Sequence, residues 1–88
     1  MTTETITICN RAGIHARPAA LLVQATKDFS CNIYIEKGNN RINAKSIMGI
    51  ITLGAAYGTE LKIIADGEGE EAAVKTLVRL FESKFEEE

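Results

Sequence analysis

The 88-residue chain is long enough for one hydrophobic core and too short for two, so a single domain over residues 1–88 is expected. Apolar residues at 45% and charged residues at 25% describe a globular chain and exclude a disordered one. Ten basic against twelve acidic residues leave a formal charge of −2, which argues against direct nucleic-acid binding, because phosphate-backbone affinity needs a positive excess.

Residues 1–8 lack the basic start and apolar core of a signal peptide, and no apolar run approaches the roughly 20 residues of a membrane span. A cytoplasmic location without membrane insertion is the expectation. In "TETITI", Thr3 to Ile8, polar and apolar residues alternate and put Ile6 and Ile8 on one side of a first strand. From Ala16 the period becomes helical, and Ala19, Leu22, Val23, Thr26 and Phe29 share a face. "CNIYIE" returns to alternation, with Cys31, Ile33 and Ile35 inward. "KGNN", Lys37 to Asn40, reads as a hairpin because Gly and Asn tolerate positive φ, so "RINA" is expected to pair antiparallel with its predecessor.

"KSIMGIITLG" reads as a short helix, with Ser46 as its N-cap and Gly54 as its stop. Glu60 to Ala65 form the next strand, with Leu61, Ile63 and Ala65 inward. "DGEGEE" then turns the chain and puts acids at the start of a last helix, which suits its dipole. Ala73, Val74, Leu77, Leu80 and Phe81 make that helix's buried stripe. The closing glutamates, Glu86 to Glu88, sit badly at a helix C-terminus and are expected to fray. The order βαββαβα implies an α+β fold, a four-stranded antiparallel sheet covered on one face by three helices.

The turn "RAGIHARP" holds the only histidine and the only proline. Gly13 gives the turn its freedom, and Pro18 fits the first helical turn, where an N–H has no partner. His15 therefore falls at, or one residue outside, the helix start, among unpaired N–H groups at the positive end of the dipole. That end favours a neutral imidazole, which is a nucleophile at physiological pH. A phosphoryl group added to the ring would meet the backbone N–H groups of Ala16 and Arg17 and the Arg17 guanidinium. The same spacing also fits a surface histidine or a simple cap. No carboxylate lies nearby in sequence to orient the ring, and no Walker-type loop is present to hold a nucleotide. The residues describe an acceptor of a phosphoryl group rather than an enzyme that mobilises one.

"NAKSIMGII" is the second unusual stretch. With Ile50 and Leu53 on the sheet, Met48 and Ile51 are left facing water with the edge of Ile47, a patch suited to a partner protein. Ser46 is explained as a cap, yet a phosphate there is electrostatically tolerable and would set up to about two negative charges beside the patch. Cys9 and Cys31 are too few for a disulfide framework and form no Cys/His cluster, so neither a metal nor another cofactor is expected.

"GIHARPA" and "NAKSIMGIITLG" together resemble the two signature regions of the HPr family, the histidine-containing phosphocarriers of the phosphoenolpyruvate-dependent sugar phosphotransferase system. The likeness extends to length, element order, the "KGNN" hairpin and the acidic entry to the last helix. It implies an open-faced β-sandwich in which His15, through Nδ1, takes a phosphoryl group from phosphorylated enzyme I and gives it to IIA domains of sugar permeases. Arg17 would stabilise the phosphate, and Ile47, Met48 and Ile51 would dock donor and acceptor in turn. Ser46 would be the target of an HPr kinase/phosphorylase, with a catabolite-control transcription factor as a reader of the modified form. The carrier would work as a monomer.

Two other readings differ in class. A regulatory binding module, of the nitrogen-related branch or otherwise, would take its output from Ser46 rather than His15. A small RNA-binding domain would share the mixed topology, but the acidic balance and the lack of an aromatic strand motif count against it.

Overall fold

The computed structural model describes residues 1–86 and confirms the expected order. Strand β1 spans Thr2–Thr7, helix α1 Ala16–Thr26, β2 Asn32–Lys37, β3 Asn40–Asn43, helix α2 Ile47–Leu53, β4 Glu60–Asp66 and helix α3 Glu70–Glu82, followed by a 3-10 turn over Lys84–Glu86. The sheet runs β1-β4-β2-β3 with every pairing antiparallel. The helices lie on one face. α3 packs on β1 and β4, while α1 packs against α2 and α3.

Local chemistry accounts for the element ends. Lys37 pairs with Asn40 across a two-residue turn in which Gly38 has φ 59 and Asn39 is not left-handed, so glycine alone meets the hairpin's positive φ. The Ser46 hydroxyl accepts the Gly49 N–H at 3.1 Å, and Gly54, with φ 65, closes α2 in the left-handed region. The Lys37 ammonium donates to the Leu53 and Gly54 carbonyls at 3.2 and 3.4 Å, placing a cation at the negative end of α2.

The core follows the predicted alternation, with refinements. Ile33, Ile35, Leu61, Ile63, Leu22, Ile50, Leu77 and Phe81 are fully buried. Ile8 is buried but lies one residue beyond β1, and Phe29 packs on the core from beyond the end of α1. Val23 and Leu80 are half-buried at the margin rather than sealed. Ile64 is buried too, although it faces away from the helices. It sits on the interior strand β4, in register between Thr3 of β1 and Tyr34 of β2.

The chain after α3 holds one core residue that periodicity did not find. Lys84 and Phe85 both take φ 56, which turns the backbone so that the Phe85 ring meets Phe81 edge-on at 5.0 Å. Such a contact contributes about 0.5–1.5 kcal/mol beyond the buried area and offsets part of the backbone cost. Glu86 belongs to this turn, and the fraying expected of Glu87 and Glu88 lies outside the described residues.

Candidate functional site

The site begins where β1 ends. The Ile8 N–H donates to the Thr59 carbonyl at 2.9 Å, and the Ile8 carbonyl accepts the Gly58 N–H at 2.8 Å. The chain leaving β1 therefore stays tied to the loop over 54–59 that joins α2 to β4. The Ile14 N–H donates to the Ala55 carbonyl at 2.9 Å and renews that tie. Gly13 lies between with φ 71, and a Cβ on it would stand 2.9 Å from the Ala55 oxygen and 3.1 Å from the Ala56 Cα. Both the dihedral and the space demand glycine there.

His15 is the N-cap of α1, with φ −106 and ψ −165. Its carbonyl accepts the Ala19 N–H at 3.0 Å, the first bond of the helix. Ala16 and Arg17 precede that bond, so their N–H groups point out of the helix end, and Pro18 has none to leave unpaired. Pro18 is buried while His15, Ala16 and Arg17 are exposed. The first turn of α1 contains no acidic residue, and among the described residues Arg17 makes no ion pair. The helix start thus combines an imidazole, two outward N–H groups and a guanidinium on an exposed surface, a set suited to holding a phosphate monoester-like dianion.

Helix α2, which Ser46 caps, packs against α1. Ile50 and Leu53 face the core, whereas Met48 is 63% exposed, Ile47 40% and Ile51 37%. The patch expected from helical spacing is present. Ser46 itself is exposed, its hydroxyl oxygen engaged by the Gly49 N–H. Among the described residues no group of three or more His, Cys, Asp or Glu side chains is arranged to hold a metal, and no helix is long and apolar enough to cross a membrane. Cys9 and Cys31 are free thiols.

Two supporting parts of the site carry no chemistry of their own and escaped the sequence reading. One is the Ala55 carbonyl, on a connecting loop whose glycines mark a turn but not the segment it braces. The other is Asn10, which is buried to 1% exposure at the entrance to the loop.

A family model described as "PTS HPr component phosphorylation site" matches residues 2–83. The phosphocarrier protein HPr of Treponema pallidum is 48% identical over 88 residues, the whole of both chains. The HPr-like protein Crh of Bacillus subtilis is 40% identical over 77 residues, covering 88% of this chain and 91% of that one. A crystal structure of HPr from Thermoanaerobacter tengcongensis superposes with a TM-score of 0.96 at 55% identity, covering 100% of this chain and 99% of that one.

Proposed function

The chain belongs to the HPr family of phosphocarrier proteins, and from that membership we propose that His15 is the residue that receives and hands on the phosphoryl group. The observation that carries the reading is the composition of the α1 start: His15 as N-cap, outward N–H groups at Ala16 and Arg17, and no acid in the first turn. The lone pair of His15 Nδ1 forms the new P–N bond while the bond between phosphorus and the donor breaks, its electron pair leaving with the donor. The Ala16 and Arg17 N–H groups and the Arg17 guanidinium then face the added charge. Exposure keeps that stabilisation modest, about 0.5–2 kcal/mol from the helix end, so the group remains transferable.

The donor is phosphorylated enzyme I and the acceptors are IIA domains of sugar permeases, which dock in turn on Ile47, Met48 and Ile51. Residues 1–88 act as one cytoplasmic carrier domain, without an activity independent of these partners. Incubation with enzyme I and labelled phosphoenolpyruvate is expected to leave acid-labile label on the chain, and His15→Ala is expected to remove it. Label retained by His15→Ala would sink the assignment.

Ser46 supports a second, regulatory role. It is exposed, it heads the helix that carries the patch, and the HPr-like protein Crh, 40% identical to this chain, is described in its solution structure as the Bacillus subtilis catabolite repression HPr. An HPr kinase/phosphorylase would add charge beside Met48, weakening acidic partners and recruiting arginine-bearing ones such as a catabolite-control transcription factor. In the nitrogen-related or purely regulatory version, Ser46→Ala removes kinase-dependent binding and His15→Ala leaves it intact. Loss of that binding on His15→Ala would tell against it.

A further inference from the structure

One peptide unit in the site loop is held at both ends. Its N–H, from Ile14, donates to the Ala55 carbonyl at 2.9 Å, and its carbonyl, from Gly13, accepts the Asn10 Nδ2–H at 2.7 Å. Asn10 also closes the loop through its backbone, where its carbonyl takes the Gly13 N–H at 3.1 Å. The next peptide links Ile14 to His15, so the plane fixed by these bonds sets the direction in which the chain enters α1. Gly13 has no side chain to define that direction, and its left-handed φ leaves the Gly13–Ile14 plane dependent on outside partners.

We propose that Asn10 is a positioning residue for phosphoryl acceptance: its buried amide locks the Gly13–Ile14 peptide and so aims His15 at the incoming phosphorus. This rests on the reading of His15 as the phosphoryl acceptor. Chemistry specifies the amide. Burial to 1% exposure takes Asn10 out of water, and only a donor can satisfy the Gly13 carbonyl, which assigns Nδ2 to that contact. The Oδ1 atom is left buried without a partner in the described residues, an unfavourable arrangement. A residue selected for packing alone would be apolar here, because it would bury no orphaned acceptor. Retaining an amide at that cost makes sense if the bond to Gly13 does more than fill space. Reactions between bound partners are sensitive to the placement of the attacking atom, so release of this peptide should act on the transfer step rather than on docking.

The experiment compares full-length Asn10→Ala and Asn10→Asp with Thr26→Ala. Thr26 is equally buried and donates to the Val23 carbonyl at 2.6 Å within the last turn of α1, remote in sequence from the site loop. It reports what plain destabilisation does. Phosphorylation is followed at several concentrations of phosphorylated enzyme I, and the His15 ring is followed by its 1H–13C chemical shifts at fixed pH.

Both Asn10 variants are expected to lower kcat about tenfold with KM unchanged. They are also expected to move the His15 ring signals and speed hydrogen exchange at Gly13 and Ile14. Thr26→Ala is expected to lower the unfolding midpoint and leave kcat, KM and the ring signals where they were. Wild-type kcat and ring signals in both Asn10 variants would overturn the proposal, as would a kcat loss in Thr26→Ala matching theirs. Should one Asn10 variant fail to fold, the other supplies the same readings. If the unaltered chain takes no phosphoryl group on His15, the functional reading fails by itself, and the ring signals and exchange rates still judge whether Asn10 aims the loop.

Discussion

The starts of α1 and α3 both present backbone N–H groups at the positive end of a helix dipole, although Pro18 contributes none at α1, and the sequence treats them in opposite ways. At α3, Glu70 and Glu71 occupy the first turn. The Glu70 carboxylate accepts the Gly67 N–H at 3.1 Å and the Thr2 hydroxyl at 2.5 Å, and it pairs with the N-terminal ammonium at 2.9 Å. The Thr2 hydrogen bond, followed by the ammonium and the Gly67 N–H, pulls its carboxyl down to about 2. That helix end is permanently supplied with its own anion. At α1 the first turn holds no acid, and the cap is a histidine. A permanent carboxylate suits a helix that only has to fold. A helix end that has a histidine cap and no acid of its own suits the role proposed for it, to accept charge and release it.

The largest expected break in this comparison comes from Gly13→Ala. The new Cβ meets the Ala55 oxygen at 2.9 Å in a left-handed residue, so the loop that delivers His15 must move. Urea unfolding should show a loss of about 2–3 kcal/mol, with phosphorylation falling alongside. A stability within about 0.5 kcal/mol of the original would mean that the close approach to Ala55 does not constrain the loop.

A smaller and more pointed change gives α1 what α3 already has. Ala16→Glu sets a carboxylate in the first turn and should stabilise the helix by about 0.3–1 kcal/mol. The same charge competes with the incoming phosphoryl group, so the phosphorylation rate should drop about tenfold. Ala16→Gln, of like size without charge, should lose much less. Equal rates for the two variants would show that an open helix end is not what His15 requires.

The contrast also explains how far the sequence could be read. Strand and helix identities were legible because each rests on a local period. The caps at Ser46 and Gly54 were legible because a hydroxyl and a glycine state their role at one position. The placement of His15 and Arg17 at the start of α1 and the exposure of Ile47, Met48 and Ile51 were legible on similar local grounds. What stayed hidden depends on contacts far apart in the chain. Ala55 braces Ile14 through a backbone carbonyl, an atom common to every residue. Asn10 carries no local signal of its burial or of its bond to Gly13. Ile64 broke the period on an interior strand, where residues of β1 and β2 flank it, and Phe85 broke it because the backbone turns beyond α3.

The smallest expected effect concerns the α3 side and has a definite sign in pH. Glu70 has a folded-state value lowered from about 4.5 to about 2, so its contribution to stability is complete above 4.5 and disappears as pH falls through about 2. The N-terminal ammonium moves the other way. Its hydrogen bond to Glu70 is the main cause of a value raised above 8.0, opposed by desolvation. Its contribution is therefore complete below 8.0 and is lost as pH rises through the raised value. Glu70→Gln removes the shared partner and should flatten both limbs of the stability profile, measured as urea midpoints from acid to alkaline pH. The change should be slight, because ion pairs open to solvent are weakly stabilising. Acid and alkaline limbs as steep as the original would show that this clamp does not link β1 to α3. Phosphorylation should be indifferent to it, since Thr2 lies at the opposite end of β1 from the loop that leads to His15. A rate lowered by Glu70→Gln would couple the two helix starts and break the division of labour between them.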